Sequence, residues 1–272
     1  MRIARVITNE AETCLAAEHA DGQLTRLEGE LFGELRDTGQ PIEQRERLAP
    51  LDPANIFCIG LNYAQHAAEG NQPIPEHPVV FMKATSALLP PGGTIHLPRK
   101  LRSDRVDYEC ELAVVIGKRC KNVSRDEALD YVFGYTCAND VSARDWQRHG
   151  GGGQWIRGKT FDTFAPMGPV LVTKQEIPNP NNLAIRTLLN DQVMQDWNTS
   201  DMIFDVGRLI EFLSGSTTLL PGTVILTGTP HGVGFARTPP VYLQPGDRVV
   251  VEIESIGQLM NDVQEEPISQ ES

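Results

Sequence analysis

Two carboxylates one residue apart, Glu109 and Glu111, stand at the head of an apolar, β-branched run that ends at Gly117. Val106 to Gly117 reads as a strand. Side chains two apart on a strand share a face and lie roughly 7 Å apart along it. Acids so placed repel each other unless water or a cation comes between them, and a hard divalent cation is the natural partner of close carboxylates. A strand end carrying two solvated acids fits the same spacing, because Glu-x-Glu has no motif status of its own. A third acid, Asp140, closes the next strand, Tyr131 to Asp140. Three carboxylates plus water form an all-oxygen set that suits Mg²⁺ or Mn²⁺ better than Zn²⁺.

His66 and Glu69 lie in Leu61 to Gly70, a stretch of helical composition closed by glycine. Three apart on a helix, they share a face. A carboxylate beside an imidazole raises its pKa and fixes its orientation, which suits a general base. A surface His–Glu pair on a short helix is the plainer reading, and spacing alone favours it. Residues 153–160, Gly-Gln-Trp-Ile-Arg-Gly-Lys-Thr, match the phosphate-loop pattern letter for letter. Their context argues otherwise. A phosphate loop follows a buried strand and opens a helix, whereas here a glycine run precedes and Phe161 to Pro166, a poor helix, follows. The stretch reads instead as a flexible glycine hinge that delivers Lys159 to a site.

The elements that must position these groups are mostly strands. With 24 Gly and 19 Pro in 272 residues, the chain is rich in turns and β structure rather than a helix bundle. Residues 1–52 read as a small β-rich unit: a strand over Met1 to Thr8, a hairpin at Asp21-Gly22, a short helix over Glu30 to Leu35, then the stiff linker Ala49 to Pro53. Strands follow at Ile56 to Gly60 and Val79 to Lys83, separated by a loop over residues 71–78. Ser124 reads as an N-cap with Glu127 at N3. Asp205 to Leu213 is an amphipathic helix whose apolar stripe is core. Residues 262–272 read as a frayed acidic tail.

Composition excludes several functions. A net charge of −12 argues against nucleic-acid and anionic-membrane partners, but not against an anionic small substrate, since local cations can reverse the field in a cleft. Five cysteines, an odd number without Cys-x-x-Cys spacing, disfavour a disulfide scaffold or zinc site and fit a reducing compartment. The N-terminus carries no long apolar run, so no signal peptide or transmembrane span is expected, and the cytoplasm is the expected location.

Taken together, five ordered motifs resemble the fumarylacetoacetate hydrolase superfamily. They are Gly60 to His66, Tyr108 to Glu111, Asn139 to Gln147, Gly158 to Asp162, and Leu226 to Pro230 with Gly232 to Gly234. Gln154 to Pro169 and Thr238 to Asp247 are similar to that family's domain-containing protein 2 subgroup. The resemblance implies an α+β, mostly β chain: a mixed β-roll or distorted β-barrel catalytic domain over residues 53–261, a small N-terminal domain, and a homodimer. It implies Mg²⁺, with Mn²⁺ or Ca²⁺ as substitutes, on Glu109, Glu111 and Asp140. By the same route His66 and Glu69 are a catalytic dyad, Gln147 and Lys159 surround the reacting oxygen, and Arg144 and Thr229 bind substrate. The name-giving hydrolase has a further aspartate ligand before the His segment. Here Ile59-Gly60 offers no carboxylate, which makes the site resemble the small-diacid branch.

Such a constellation favours 2-oxo acids, whose two coplanar oxygens chelate an octahedral cation that then stabilises an enolate. Water attack at a 4-oxo carbon guided by His66, loss of carbon dioxide, or keto–enol tautomerism would each follow, with Lys159 and Gln147 stabilising oxyanion charge. The subgroup resemblance favours oxaloacetate tautomerisation. Other relatives cleave acylpyruvates, act on aromatic-catabolic dienoates, or resemble ureidoglycolate lyase. A non-enzymatic metal-binding protein and a phosphate-loop nucleotidase are the alternatives from other classes.

Overall fold

A computed structural model describes residues 1–267. β1 (Arg2–Thr8), β2 (Thr13–Glu18) and β3 (Leu24–Gly29) form a meander through the anticipated Asp21-Gly22 turn, and β4 (Leu35–Pro41) and β5 (Gln44–Leu48) follow. The helix expected over Glu30 to Leu35 does not form. β3 and β4 pair up to Gly29↔Leu35, so residues 30–34 make a hairpin turn, and ladder bonds prevail over a helix already weakened by Gly33.

Next come β6 (Asn55–Gly60), α1 (Ala64–Glu69), β7 (Val79–Lys83), β8 (Leu88–Leu89) and β9 (Thr94–Leu97). β10 (Val106–Asp107), β11 (Cys110–Ile116), β12 (Val132–Asn139) and β13 (Ser142–Ala143) follow, with Asp107 and Glu111 on them and Glu109 and Asp140 at their ends. The one-turn α2 (Ile156–Lys159) precedes β14 (Ala165–Thr173), β15 (Ala184–Leu189) and β16 (Gln192–Asn198). α3 (Val206–Ser214), β17 (Thr223–Leu226), β18 (Arg248–Ile253) and β19 (Gly257–Glu265) complete the described chain.

The larger sheet runs β4-β3-β2-β1-β14-β12-β11-β17-β6-β7, with β5 on β1 and β8 on β14; the smaller runs β16-β15-β18-β19-β9. Most pairs are antiparallel, but β17–β6, β19–β9 and β14–β8 are parallel. The anticipated mostly β, mixed-sheet α+β architecture is what forms, and the large sheet stays open rather than closing into a barrel. β1 is hydrogen-bonded to β14 through Arg2↔Val172 and Ile3↔Leu171, so the sheet is continuous across residue 52.

β11 lies between β12 and β17, and all seven of its residues are buried. Its faces serve two cores. Leu112, Val114 and Ile116 pack in the cluster that holds Leu209, Ile210 and Leu213 of α3, while Ala113 and Val115 join Cys58, Val224 and Leu226. A strand buried on both faces reads as a continuous apolar run, which is why its sequence signal is strong. Each α3 anchor contributes about 1.5–3 kcal/mol through burial. Asp205 caps α3, accepting from the Arg208 N–H at 2.8 Å.

Three further expectations are corrected. The strand read over Val106 to Gly117 breaks at Tyr108–Glu109, because the Asp107 side chain takes the Tyr108 N–H (2.9 Å) and Asn139 Oδ1 takes that of Glu109 (3.0 Å). Ser124 does not cap a helix. Its hydroxyl donates to Glu127 Oε2 at 2.6 Å, and only a 3₁₀ turn, Ala128–Tyr131, precedes β12. The acidic tail does not begin at 262. β19 continues to Glu265 with Val263 fully buried and paired to Ile95 of β9; residues 268–272 lie outside the described residues.

Candidate metal centre and active site

β11 and β12 pair with Cys110 opposite Asn139 and Glu111 opposite Ala138. This register sets Glu109, just before β11, beside Asp140, just after β12, and the Asp140 N–H donates to the Glu109 carbonyl at 2.9 Å. Glu109, Glu111 and Asp140 each offer a carboxylate oxygen within 4.8 Å of the others, and all three side chains are buried. The reading of Glu109 and Glu111 as a solvated strand end is therefore excluded.

The three acids differ in charge environment. Burial pushes the Glu109 carboxyl up, but Arg144 and Lys159 outweigh it and hold the group well below the usual carboxylate range. Glu111 is pushed well above that range by burial and then by the like charges of Asp140 and Glu109. Among the described residues it has no ion-pair partner; it accepts the Gly228 N–H at 2.7 Å. Gly228, at φ +96°, makes that approach possible, since a Cβ there would lie 2.7 Å from Asn62 Cβ. A buried all-oxygen set with one carboxylate lacking a counter-charge fits a hard divalent cation.

Two lysines brace the acids. Lys159, the last residue of α2, places Nζ 2.7 Å from Glu109 Oε2 and 2.6 Å from Asp140 Oδ2. Burial opposes its charge, yet Asp140 and Glu109 raise its pKa above the ordinary lysine value. Lys83, the last residue of β7, is a site residue that sequence reasoning missed. Its Nζ sits 2.6 Å from Asp140 Oδ1 and donates to the carbonyls of Val141 (3.0 Å) and Lys159. Burial lowers its pKa, with Asp140 opposing. A lone lysine closing an apolar strand was its only signal.

Arg144, just after β13, contacts Asp107 Oδ2 (2.8 Å) and Glu109 Oε1 (2.7 Å) through Nη2, and donates from Nη1 to Gln147 Oε1 (3.1 Å). Asp107, also missed, is fully buried. It accepts backbone N–H groups from Tyr108 (2.9 Å), Gly234 (2.8 Å) and Phe235 (3.0 Å). Burial raises its pKa despite Arg144.

His66 and Glu69 do share a face of α1, with Nδ1 3.2 Å from Oε2. His66 is only 7% exposed, so the pair is no surface ornament. The Gly232 N–H fixes Glu69 from the far side at 2.9 Å. Thr229 Oγ1 accepts from Gln195 Nε2 at 2.8 Å, and Gln195, a third missed residue, also accepts the Cys110 N–H at 3.0 Å.

His66, Glu109, Glu111, Arg144, Gln147, Lys159 and Thr229 all line one cavity of about 380 Å³. Asp140 and Glu69 stand behind its wall, bound to Lys159 and His66. Trp155 and Phe81 form an aromatic side, their rings 5.6 Å apart. Gly60 lets Trp155 in, since a Cβ there would meet the indole at 2.4 Å. The phosphate-loop alternative fails: α2 is a single turn, the element next after Thr160 is the strand β14 rather than a helix, and Lys159 is engaged by carboxylates.

Comparison with known proteins gives consistent findings. The family model for the fumarylacetoacetate (FAA) hydrolase C-terminal region matches residues 55–264. A fumarylacetoacetate hydrolase domain-containing protein 2 homolog of Dictyostelium discoideum is 50% identical over 232 residues, covering 82% of this chain and 75% of the relative. A mitochondrial oxaloacetate tautomerase of Xenopus laevis is 48% identical over 231 residues, covering 84% and 72%. Among solved structures, a 5-carboxymethyl-2-hydroxymuconate delta-isomerase from Mycobacterium smegmatis superposes with a TM-score of 0.85 at 39% identity, covering 98% of this chain and 100% of that one. No helix among the described residues is long and apolar enough to cross a membrane.

Proposed function

The chain belongs to the fumarylacetoacetate hydrolase family, and we propose that this enzyme tautomerises small 2-oxo dicarboxylates, oxaloacetate foremost. The observation that carries the reading is the buried Glu109–Glu111–Asp140 cluster at a cavity of about 380 Å³ that Lys159, Arg144, Gln147 and His66 also line. The name of the Xenopus laevis relative supports the choice of oxaloacetate.

Glu109, Glu111 and Asp140 would hold the cation, Mg²⁺ or Mn²⁺ before Ca²⁺, which when bound draws electron density from a 2-oxo acid and acidifies its C3 hydrogens. His66 takes a C3 proton. Its Nδ1 faces Glu69, which leaves Nε2 as the base and lets Glu69 balance the imidazolium. Lys159, its pKa raised, stays an ammonium and donates to the developing oxyanion rather than acting as the acid. Gln147 Oε1 is held by Arg144, which leaves its amide N–H groups as further donors for that oxygen on the cavity wall. The proton held on His66 returns to oxygen, giving the enol; the reverse sequence gives the ketone. Trp155 and Phe81 exclude water from the enolate.

Carbon–carbon bond hydrolysis is the second reading, favoured by the same His66–Glu69 dyad, which is equally built to activate a water. We place the enzyme in a reducing compartment, the cytoplasm or, as for the Xenopus laevis relative, the mitochondrion, and as a homodimer with no nucleic-acid or membrane partner.

The test is a paired assay with Mg²⁺, with oxaloacetate and acetylpyruvate in separate cuvettes, following enol absorbance and pyruvate release. Accelerated decay of the oxaloacetate enol without pyruvate supports the tautomerase. Pyruvate from oxaloacetate makes it a decarboxylase, and pyruvate from acetylpyruvate a hydrolase. Silence on both overturns the assignment and points to larger dienoates.

A further inference from the structure

We infer that Arg148 is the subsite for the second carboxylate of a dicarboxylate substrate, on the wall of the cavity that Glu109 and Glu111 also line; this rests on the 2-oxo acid reading above. Arg148 lies on the π-helical turn Trp146–Gly150 and lines the cavity. Its guanidinium stacks 4.6 Å from the centroid of the Phe235 ring, the ring that Arg144 also contacts at 4.5 Å. Phe235 is itself held, its N–H bonded to Asp107. Stacking orients the plane of a guanidinium and leaves its N–H edge free.

The two arginines then differ in one respect. Arg144 is taken by Asp107, Glu109 and Gln147. Among the described residues Arg148 has no carboxylate within ion-pairing distance, so it presents an uncompensated charge to the cavity.

Charge and length both match a small dianion. Four buried carboxylates (Asp107, Glu109, Glu111, Asp140) face three buried cations (Lys83, Lys159, Arg144). One charge is left over, which a divalent cation turns into an excess of one positive charge. Arg148 makes it two. The shared contact with Phe235 limits the Arg144–Arg148 separation to about 9 Å. A four-carbon diacid spans ~4 Å between carboxyl carbons and adds ~3 Å of charge-assisted hydrogen bond at its far end. A 2-oxo acid held beside Glu109 and Arg144 would extend its far carboxylate over that scale, toward the guanidinium edge of Arg148.

The experiment compares wild type, Arg148→Gln and Arg148→Lys, all with Mg²⁺, on two substrates that differ in the far group: oxaloacetate and 2-oxobutanoate. Calorimetric binding of the unreactive pair malate and 2-hydroxybutanoate accompanies it. Arg148→Gln should lose about ten- to hundredfold in kcat/KM on oxaloacetate, mostly through KM, and several-fold less on 2-oxobutanoate. Malate affinity should fall in parallel, and Arg148→Lys should recover part of both, since it restores the charge but not the stacked, oriented N–H edge. Equal losses on the two substrates, or no loss on oxaloacetate, would overturn the subsite. If wild type turns over neither substrate but malate binds in an Arg148-dependent way, the reaction class falls and the subsite stands. If malate and 2-hydroxybutanoate bind alike to wild type and variant, the subsite falls whatever the reaction.

Discussion

Replacing Lys83 by methionine removes a buried cation while keeping a linear side chain of similar length. In the native arrangement its Nζ lies 2.6 Å from Asp140 Oδ1 with no side-chain exposure on either partner. Two carbonyls, of Val141 and Lys159, also take its protons. The variant leaves a buried carboxylate short of one counter-charge and two carbonyls short of donors. Breaking a buried pair by deleting one partner costs about 3–5 kcal/mol. For a chain of this size each kcal/mol lowers Tm by about 2–4 °C, so the metal-free variant should melt about 6–20 °C below wild type. Asp140 keeps Lys159 at 2.6 Å, which places the expectation toward the lower half of that range. Removing a positive charge beside Asp140 also strengthens its pull on a divalent cation, so Mg²⁺ should raise the variant's Tm by more than it raises wild type's. Differential scanning calorimetry in EDTA and in excess Mg²⁺ measures both, with Lys83→Arg as the charge-keeping control. A fall of less than about 3 °C, with the same Mg²⁺ response as wild type, would refute the reasoning. It would mean that Lys83 is uncharged and that its hydrogen bonds contribute no more than about 1 kcal/mol together.

Two other predictions follow from the same site. Glu111→Gln removes charge without changing shape, and calorimetric titration should show Mg²⁺ affinity reduced at least about tenfold, or about 1.4 kcal/mol. An unchanged titration would remove Glu111 from the ligand set. Glu69 supplies the pH test. Burial works against its charge, but the hydrogen bond from His66 and the Gly232 N–H hold its carboxyl below the ordinary 4.5. A depressed acid stabilises fully above its unfolded value and loses that contribution as pH falls through its lower folded value. Urea stability should therefore drop below about pH 4.5 in wild type, and the drop should be shallower in Glu69→Gln. Identical pH profiles would show that the dyad contributes nothing to the fold.

Much of this molecule is local, and what is local is readable. The apolar run of β11 announces a buried strand, and Glu109 and Glu111 at its head offer a paired-acid site as one of two readings; the three-residue step from His66 to Glu69 announces a shared helix face. The cap and apolar stripe of α3 are equally self-contained. Interactions between distant parts of the chain decided the rest. The strand ends before Glu109 because a side chain 30 residues away, Asn139, takes its N–H. Glu30 to Leu35 turns rather than coils because β3 and β4 pair. Val263 belongs to the core because β9 lies beside it. Lys83, Asp107 and Gln195 carry no motif; each became part of the site by meeting partners across the fold, as when Asp107 accepts the Gly234 N–H 127 residues further on. Sequence alone thus determined the family, the mostly β class and which acids to look for, because propensity and spacing act over a few residues. Which charges balance those acids, and which arginine stays free to meet a substrate, only the tertiary structure decided, because Coulomb energy depends on distances in space that chain separation does not encode.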